Sequence, residues 1–385
     1  MKCVFLTTEF PPGPGGIGVH TFQVIEQLKK QYHWKFKIIL TQLDNSSDKD
    51  FEKFKKSYHS EIFLLKKSPS FFKLISNIIK ILIFSLKYNP KIIISSGRHA
   101  VWFGSVIKLM TRKKLISFCH GSEFGTKNIR EQKINNYSYS YADLLISVSK
   151  YTLNYIKTQT DIKCNNSIVI HNGANHEIFK KIDNNHTQNF LIKNNLNDKK
   201  ILLTIGNVSE RKGQWVVINA MPEILKKNPN VFYYCIGNPT QKNEFLQLAI
   251  KLNVQDRVVF TGSLSNSEIV KWLNISKIFL MTSTHTLTGD FEGFGISVIE
   301  AALCGTPAIV TEGNNGVIES IIDNETGYGV PEKSFSVLAE KVNYLLENPD
   351  LCEMMGKKSR KRALSKFTWE IKTKEIHQSI ITLCE

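Results

Sequence analysis

The sequence predicts an α/β protein built from two doubly wound, Rossmann-like domains. Three observations carry that expectation. The chain has 385 residues, long for one hydrophobic core. Short apolar runs alternate with helix-period patterns along its length, as in parallel sheets covered by helices on both faces. The alternation breaks once, at Asn172-Gly173 and the polar stretch 180–189, which reads as a linker.

Taken in order, strands are expected at 2–8, 35–41, 61–65, 91–96, 114–119, 143–147 and 167–171, with helices at 17–30, 71–88, 99–110 and 149–157. The second half repeats the pattern, with strands near 200–206, 231–236, 256–260, 277–282, 306–311 and 326–330. The domains are therefore placed at 1–172 and 173–365. Two such domains would face across a cleft between the carboxyl ends of their strands, where α/β folds bind ligands.

Composition narrows the class. An apolar share of 42% suits a soluble globular protein, and no uncharged run reaches membrane-spanning length. The chain opens directly on a strand, so no signal peptide is expected. Seven cysteines without a Cys-x-x-Cys suggest neither a disulfide framework nor a zinc site and fit a reducing cytoplasm. The net charge of +16 is uneven: residues 1–170 hold 26 basic and 11 acidic residues, net +15, and the remainder 24 and 23, net +1. That asymmetry points to an anionic partner for the first half. In the predicted helix 71–88, Lys73, Lys80 and Lys87 share one face. The plainer reading is a core helix over the sheet; the sharper one is an interfacial helix on an anionic membrane.

The richest motif is Asp290-Phe-Glu-Gly-Phe-Gly-Ile-Ser-Val-Ile-Glu300, ending in Cys304-Gly-Thr-Pro307. It reads as a Gly-rich turn entering an apolar helix near Ile296 that stops at Gly305. Glycines let backbone amides approach an anion, and a helix start adds unpaired N–H groups and a favourable dipole. Glu292 would stand beside a sugar attached to that anion, and Glu300 could accept from a ribose hydroxyl. Earlier, Thr204-Ile-Gly-Asn-Val-Ser-Glu-Arg-Lys-Gly213 follows a strand and opens a helix, so Arg211 and Lys212 can neutralise a diphosphate. Glu292 and Lys212 are both expected to line a solvated cleft. Gly13, Gly15 and Gly18 formally match the dinucleotide fingerprint, with Asp44 near the position of its ribose acid. Asp48-Lys49-Asp50 formally matches a metal-binding Asp-x-Asp but reads as solvated loop.

Glu-Gly-Phe-Gly with a second Glu eight residues on, followed by Cys-Gly-Thr-Pro, resembles the retaining nucleotide-sugar glycosyltransferases of family 4. That resemblance implies the two-domain GT-B fold, with a last helix (366–385) crossing back to the first domain. It implies that Glu292 contacts the donor sugar and Glu300 the ribose. Gly293, Phe294, Gly295 and Ile296 would border the diphosphate, with Arg211 and Lys212 as its cations. His120, in Cys119-His-Gly-Ser-Glu123, would lie beside the sugar, and Gly15 and Gly16 in the family's first-loop Gly-Gly. Thr261, Gly262 and Leu264 match its base-contacting loop. Where the family has Arg directly after the first glycine, this chain has Asn207, and Arg211 is the residue able to stand in.

The resemblance implies transfer of a sugar from a UDP- or GDP-sugar to an acceptor hydroxyl with retention; with no credible Asp-x-Asp or His/Cys cluster, and with cations and a helix dipole to carry the charge, no metal or other cofactor is expected. A lipid-linked glycan in cell-surface polysaccharide synthesis would be a fitting acceptor, at the cytoplasmic membrane face. Two other classes stay open: an NAD-dependent oxidoreductase using the loop 13–18, and a basic nucleic-acid-binding protein, although no reader motif for nucleic acid is present.

Overall fold

A computed structural model gives the architecture for residues 1–11, 13, 15–41, 56, 62–65, 71–126, 128–163, 165–313 and 315–385. Asp44 and the Asp48-Lys49-Asp50 triplet lie outside these residues, as does the side chain of Lys73. The chain divides into two compact units, Met1–Asn172 with Trp369–Glu385, and Gly173–Thr368.

In the first unit seven strands form one all-parallel sheet. They are β1 (Lys2–Thr7), β2 (Lys35–Leu40), β3 (Ile62–Leu64), β4 (Ile92–Ser96), β5 (Lys114–Cys119), β6 (Leu144–Ser147) and β7 (Ser167–Val169), in the order β3-β2-β1-β4-β5-β6-β7. The strands are near-continuous apolar runs because both faces are covered. The covering helices are α1 (Gly16–Tyr32), α2 (Phe71–Tyr88), α3 (Arg98–Thr111), α4 (Ile129–Ser140) and α5 (Lys150–Gln159). The strand order reverses between β1 and β4, where Thr7 pairs with Ser96. This is the position at which doubly wound sheets open a crevice. The sequence pattern missed α4, IREQKINNYSYS, because it has no apolar stripe. Its start is set locally instead, by Asn128 accepting from the amides of Arg130 and Glu131.

The second unit begins with α6 (Asn184–Lys193), followed by β8 (Lys200–Ile205), α7 (Gln214–Lys227), β9 (Val231–Ile236) and α8 (Lys242–Lys251). Then come β10 (Val258–Gly262), α9 (Asn266–Ile275), β11 (Ile278–Met281), α10 (Ile296–Cys304), β12 (Ala308–Glu312) and β13 (Gly327–Pro331). Helices α11 (Phe335–Glu347) and α12 (Pro349–Lys366) complete it. The six strands are all parallel, in the order β10-β9-β8-β11-β12-β13, and reverse between β8 and β11. The stretch expected as a linker is largely helix α6, because Asp183 caps it by accepting from the amide of His186 at 2.9 Å. The last helix, α13 (Trp369–Cys384), belongs to the first unit, where Tyr32 of α1 stacks on His377 with ring centroids 3.6 Å apart.

Candidate active site

In the second unit, chemistry gathers at the switch point of the sheet. After β8 the chain makes one 3₁₀ turn, Glu210–Lys212, closed by Gly213 at φ 73°. A Cβ on Gly213 would stand 1.8 Å from the carbonyl oxygen of Thr282, so glycine is what lets the turn reach the end of β11. The Thr284 amide donates to the Arg211 carbonyl at 2.9 Å and its hydroxyl to the Glu210 carbonyl at 2.8 Å, fixing the turn to the segment after β11.

That anchoring sets four charges together. Glu292 Oε2 takes Arg211 Nη1 and, at 2.7 Å, Lys212 Nζ; Arg211 Nε lies 3.2 Å from Asp290 Oδ2. Two cations and two carboxylates sum to zero. Glu292 is 8% exposed, so the expectation that it lines a solvated cleft is corrected: its side chain is largely enclosed. Burial works to raise the Glu292 carboxyl, but Lys212 and Arg211 outweigh it and hold it at about 2. Burial likewise pushes the Lys212 ammonium down, with Glu292 acting against that. The carboxylate is the side of the pair with the clear sign: it stays ionised.

Helix α10 begins where expected. Gly295 sits at φ 85°, and a Cβ there would meet Met281 Sδ at 2.7 Å. Gly293 is buried beside it. Phe294 is 1% exposed and its ring packs 5.7 Å from that of Phe367, so its backbone, not its ring, borders the helix start at Ile296. Glu300, one turn into α10, is half-buried and its carboxylate makes no hydrogen bond to a described residue; burial pushes that carboxyl up to about 7 against the pull of Lys212. Asn207 is exposed. At the end of β10, Thr261 Oγ1 donates to the Gly262 carbonyl at 2.9 Å, Gly262 adopts φ 77° with open space around it, and Leu264 is half-buried before α9.

In the first unit the ends of β1, β4 and β5 carry the polar groups. His120 is buried, and its amide donates to both Glu123 oxygens at 3.1 Å. Burial holds its imidazole neutral, with the pKa lowered to about 3, and raises Glu123 to about 7 against the pull of backbone amides and Arg98. His20 of α1 meets His120 edge-on, ring centroids 4.8 Å apart, and Trp369 of α13 lies 5.6 Å from His20. Gly15 caps α1 at φ 148°, and a Cβ there would stand 2.0 Å from Glu9 Oε2; Gly16 faces open space. Glu9 Oε2 accepts from the Gly18 amide at 3.2 Å. A carboxylate thus already sits at the helix start where the dinucleotide reading needs a pyrophosphate, which gives that reading no support. Among the described residues no His, Cys, Asp or Glu cluster could hold a metal, and no helix is long and apolar enough to cross a membrane.

The structure thus unites Arg211, Lys212 and Glu292 in one cluster and sets Glu300 within the electrostatic reach of Lys212. Sequence reasoning assigned no role to Asp290, Ser96, His20 or Glu9. Only Asp290 carried a signal, standing two residues before Glu292.

The profile of Glyco_transf_4, Glycosyltransferase Family 4, matches residues 14–178, and that of Glycos_transf_1, Glycosyl transferases group 1, matches residues 186–362. A GDP-mannose-dependent α-(1-6)-phosphatidylinositol monomannoside mannosyltransferase of Mycolicibacterium smegmatis is 29% identical over 175 residues, 45% of this chain and 46% of that protein. The chain therefore aligns with about half the length of that relative. The capsular polysaccharide biosynthesis glycosyltransferase CapM of Staphylococcus aureus is 25% identical over 343 residues, 83% of this chain and 85% of CapM. Among solved structures, Anabaena HepE in complex with UDP and glucose superposes with a TM-score of 0.83 at 17% identity, covering 99% of this chain and all of HepE. Two all-parallel sheets, each with its switch point, define the GT-B fold class. The chain belongs to the GT-B glycosyltransferases of family 4.

Proposed function

We propose that this protein transfers a sugar from a UDP- or GDP-sugar to an acceptor hydroxyl with retention of anomeric configuration. The observation that carries this reading is the Arg211–Lys212–Glu292 cluster at the switch point of the second sheet. A diphosphate would take up Arg211 and Lys212, and Glu292, held ionised, would accept from sugar hydroxyls. Glu300 would take the ribose, the 261–264 turn the base through its main chain, and the backbone of 293–296 the phosphate. His120 is assigned to the sugar, and the Gly15-Gly16 turn to the donor phosphates and the shaping of the acceptor site.

In the transfer, the bond from the anomeric carbon to the diphosphate oxygen breaks. The acceptor oxygen forms the new bond on the same face, and its proton passes to the departing phosphate. Arg211 and Lys212 stabilise the charge that grows there, so the reaction needs no metal. No glycosidase-type pair of carboxylates is required. A panel of nucleotide sugars, assayed for nucleotide release with and without glycan acceptors, tests the reading; no turnover with any of them counts against it.

A lipid-linked acceptor in surface-polysaccharide synthesis fits a second observation, on the first unit. Ile75, Ile79, Ile83 and Leu86 form one exposed aliphatic row on α2, with exposed Lys80 and Lys87 beside it. The opposite side of α2, with Ile81 and Ser85, is buried, so the helix is core on one face and bare on the other. Exposed Leu109 and Met110 stand near the end of α3, and Lys113 Nζ donates to Asn89 Oδ1 at 2.9 Å, joining the ends of α2 and α3. Residues 62–122 hold eleven Lys or Arg and no Asp or Glu. Aliphatic side chains beside lysines suit an anionic bilayer surface, each basic residue contributing about 1 kcal/mol. Flotation with anionic but not neutral vesicles, weakened by Ile79→Glu with Ile83→Glu, is the expected result. Equal flotation with both vesicle types, or none with anionic vesicles at low salt, would overturn it.

A further inference from the structure

Three hydroxyls and one imidazole lie in a row at the switch point of the first unit's sheet, and all four residues are buried. Thr7 Oγ1, at the end of β1, donates to the Glu9 carbonyl at 2.7 Å and lies 3.2 Å from Thr21 Oγ1. Thr21, on α1, donates to Ser96 Oγ at 3.4 Å. Ser96, the last residue of β4, has its Oγ 2.8 Å from Nε2 of His120.

A hydroxyl has one proton to give. With the proton of Thr7 on the Glu9 carbonyl and that of Thr21 on Ser96 Oγ, the 3.2 Å Thr7–Thr21 contact carries none, and the proton of Ser96 is the one available for the short contact with His120. Nε2 must then present its lone pair. A neutral imidazole with a lone pair on Nε2 carries its proton on Nδ1. The opposite arrangement, with Nε2–H donating to Ser96, leaves the Ser96 proton no acceptor within the row. An unsatisfied buried donor of that kind is disfavoured.

We propose that Ser96, oriented by Thr21, is a positioning residue that fixes His120 as the Nδ1–H tautomer. His120 then meets its substrate as a hydrogen-bond donor at Nδ1, able to hold a sugar oxygen, and not as a base. This deepens the assignment of His120 to the sugar and rests on it. It also agrees with the acceptor proton leaving on the phosphate, because the imidazole nitrogen that could accept a proton is occupied by Ser96. The neighbouring ring of His20 is uncharged for the same reason as His120, its burial. Two adjacent imidazolium ions in this setting would repel, so His20 favours the neutral state of its neighbour.

The test uses the full chain labelled with ¹⁵N-histidine and needs no substrate. Long-range ¹H–¹⁵N spectra report which ring nitrogen is protonated, and the His120 signals are those missing from His120→Gln. The expected wild-type pattern is a protonated Nδ1 and a bare Nε2. Thr21→Val keeps the shape of the side chain but removes the donor to Ser96, and Ser96→Ala removes the hydroxyl itself. Both are expected to move His120 toward the Nε2–H form and to lower kcat about tenfold, the loss of one hydrogen bond, with a smaller change in donor KM. Thr21→Ser, which retains the hydroxyl, is expected to keep both the wild-type spectrum and rate. A wild-type Nε2–H pattern, or an unchanged pattern in folded Ser96→Ala and Thr21→Val, would overturn the assignment. A shifted tautomer with wild-type kcat would overturn the positioning role. Absence of sugar transfer by the wild-type enzyme would sink the functional reading while leaving the tautomer result intact.

Discussion

Replacing Lys212 by Met and Glu292 by Gln, singly and together, separates what the charge cluster does for stability from what it does for turnover. Around Glu292 the charges of Arg211, Lys212, Asp290 and Glu292 sum to zero. Either single change leaves one charge uncompensated in an enclosed site, and the double change restores balance between Arg211 and Asp290. The Glu292 carboxyl falls from 4.5 to about 2 on folding, equivalent to about 3 kcal/mol net, what remains of the pull of the two cations once burial has been offset. The burial cost on Lys212 opposes its share, so the coupling between Lys212 and Glu292 is expected at roughly 1–2 kcal/mol. Because this carboxyl is depressed, its contribution is fully present above pH 4.5 and is lost as pH falls toward 2; an assay at pH 7 reads all of it. Denaturant unfolding should therefore show the double variant more stable than the sum of the single losses predicts. Turnover should behave differently. Lys212→Met is expected to slow nucleotide release by about a hundredfold or more, about 2.7 kcal/mol, and the double variant should not recover it. Strictly additive stability losses, or wild-type turnover in folded Lys212→Met, would refute this account of the cluster.

Glu300 has a raised carboxyl, so native stability should fall as pH rises from 4.5 through about 7. Donor KM should drop over the upper part of that range as the carboxylate forms, and Glu300→Gln should flatten the profile; a flat wild-type profile counts against a ribose contact. Two glycines make a contrasting pair: Gly213→Ala, at φ 73° and 1.8 Å from a backbone oxygen, should lose about 3 kcal/mol or fail to fold, whereas Gly262→Ala, at φ 77° in open space, should lose only about 1 kcal/mol. Thermal melts distinguish them, and equal losses would mean that the close approach at Gly213 has no energetic weight. Dialysis against a chelator should leave turnover unchanged, and loss restored by a divalent ion would show that Arg211 and Lys212 do not suffice for the leaving phosphate.

The alternation of apolar runs with helical patterns determined the two parallel sheets, because strands buried on both faces must read as continuous Val, Ile, Leu and Phe. The entry to α10 was equally readable, since Gly295 and Gly305 both stand at positive φ where glycine is the natural residue. Helix α4 was not readable, because its hydrogen-bonded cap replaces the apolar stripe that periodicity detects. The linker reading at 180–189 failed for the same reason, with Asp183 capping a polar helix. The local motifs named Arg211, Lys212 and Glu292 but left Glu292 and Lys212 lining a solvated cleft. Only the tertiary structure decided that they share one carboxylate oxygen and that Asp290 braces Arg211, because residues about 80 apart in sequence meet only when β11 lies beside β8 in the sheet. The same holds in the first unit, where Thr7, Thr21, Ser96 and His120 come from four separate elements. No spacing in the chain relates them; the parallel register that pairs Thr7 with Ser96 does.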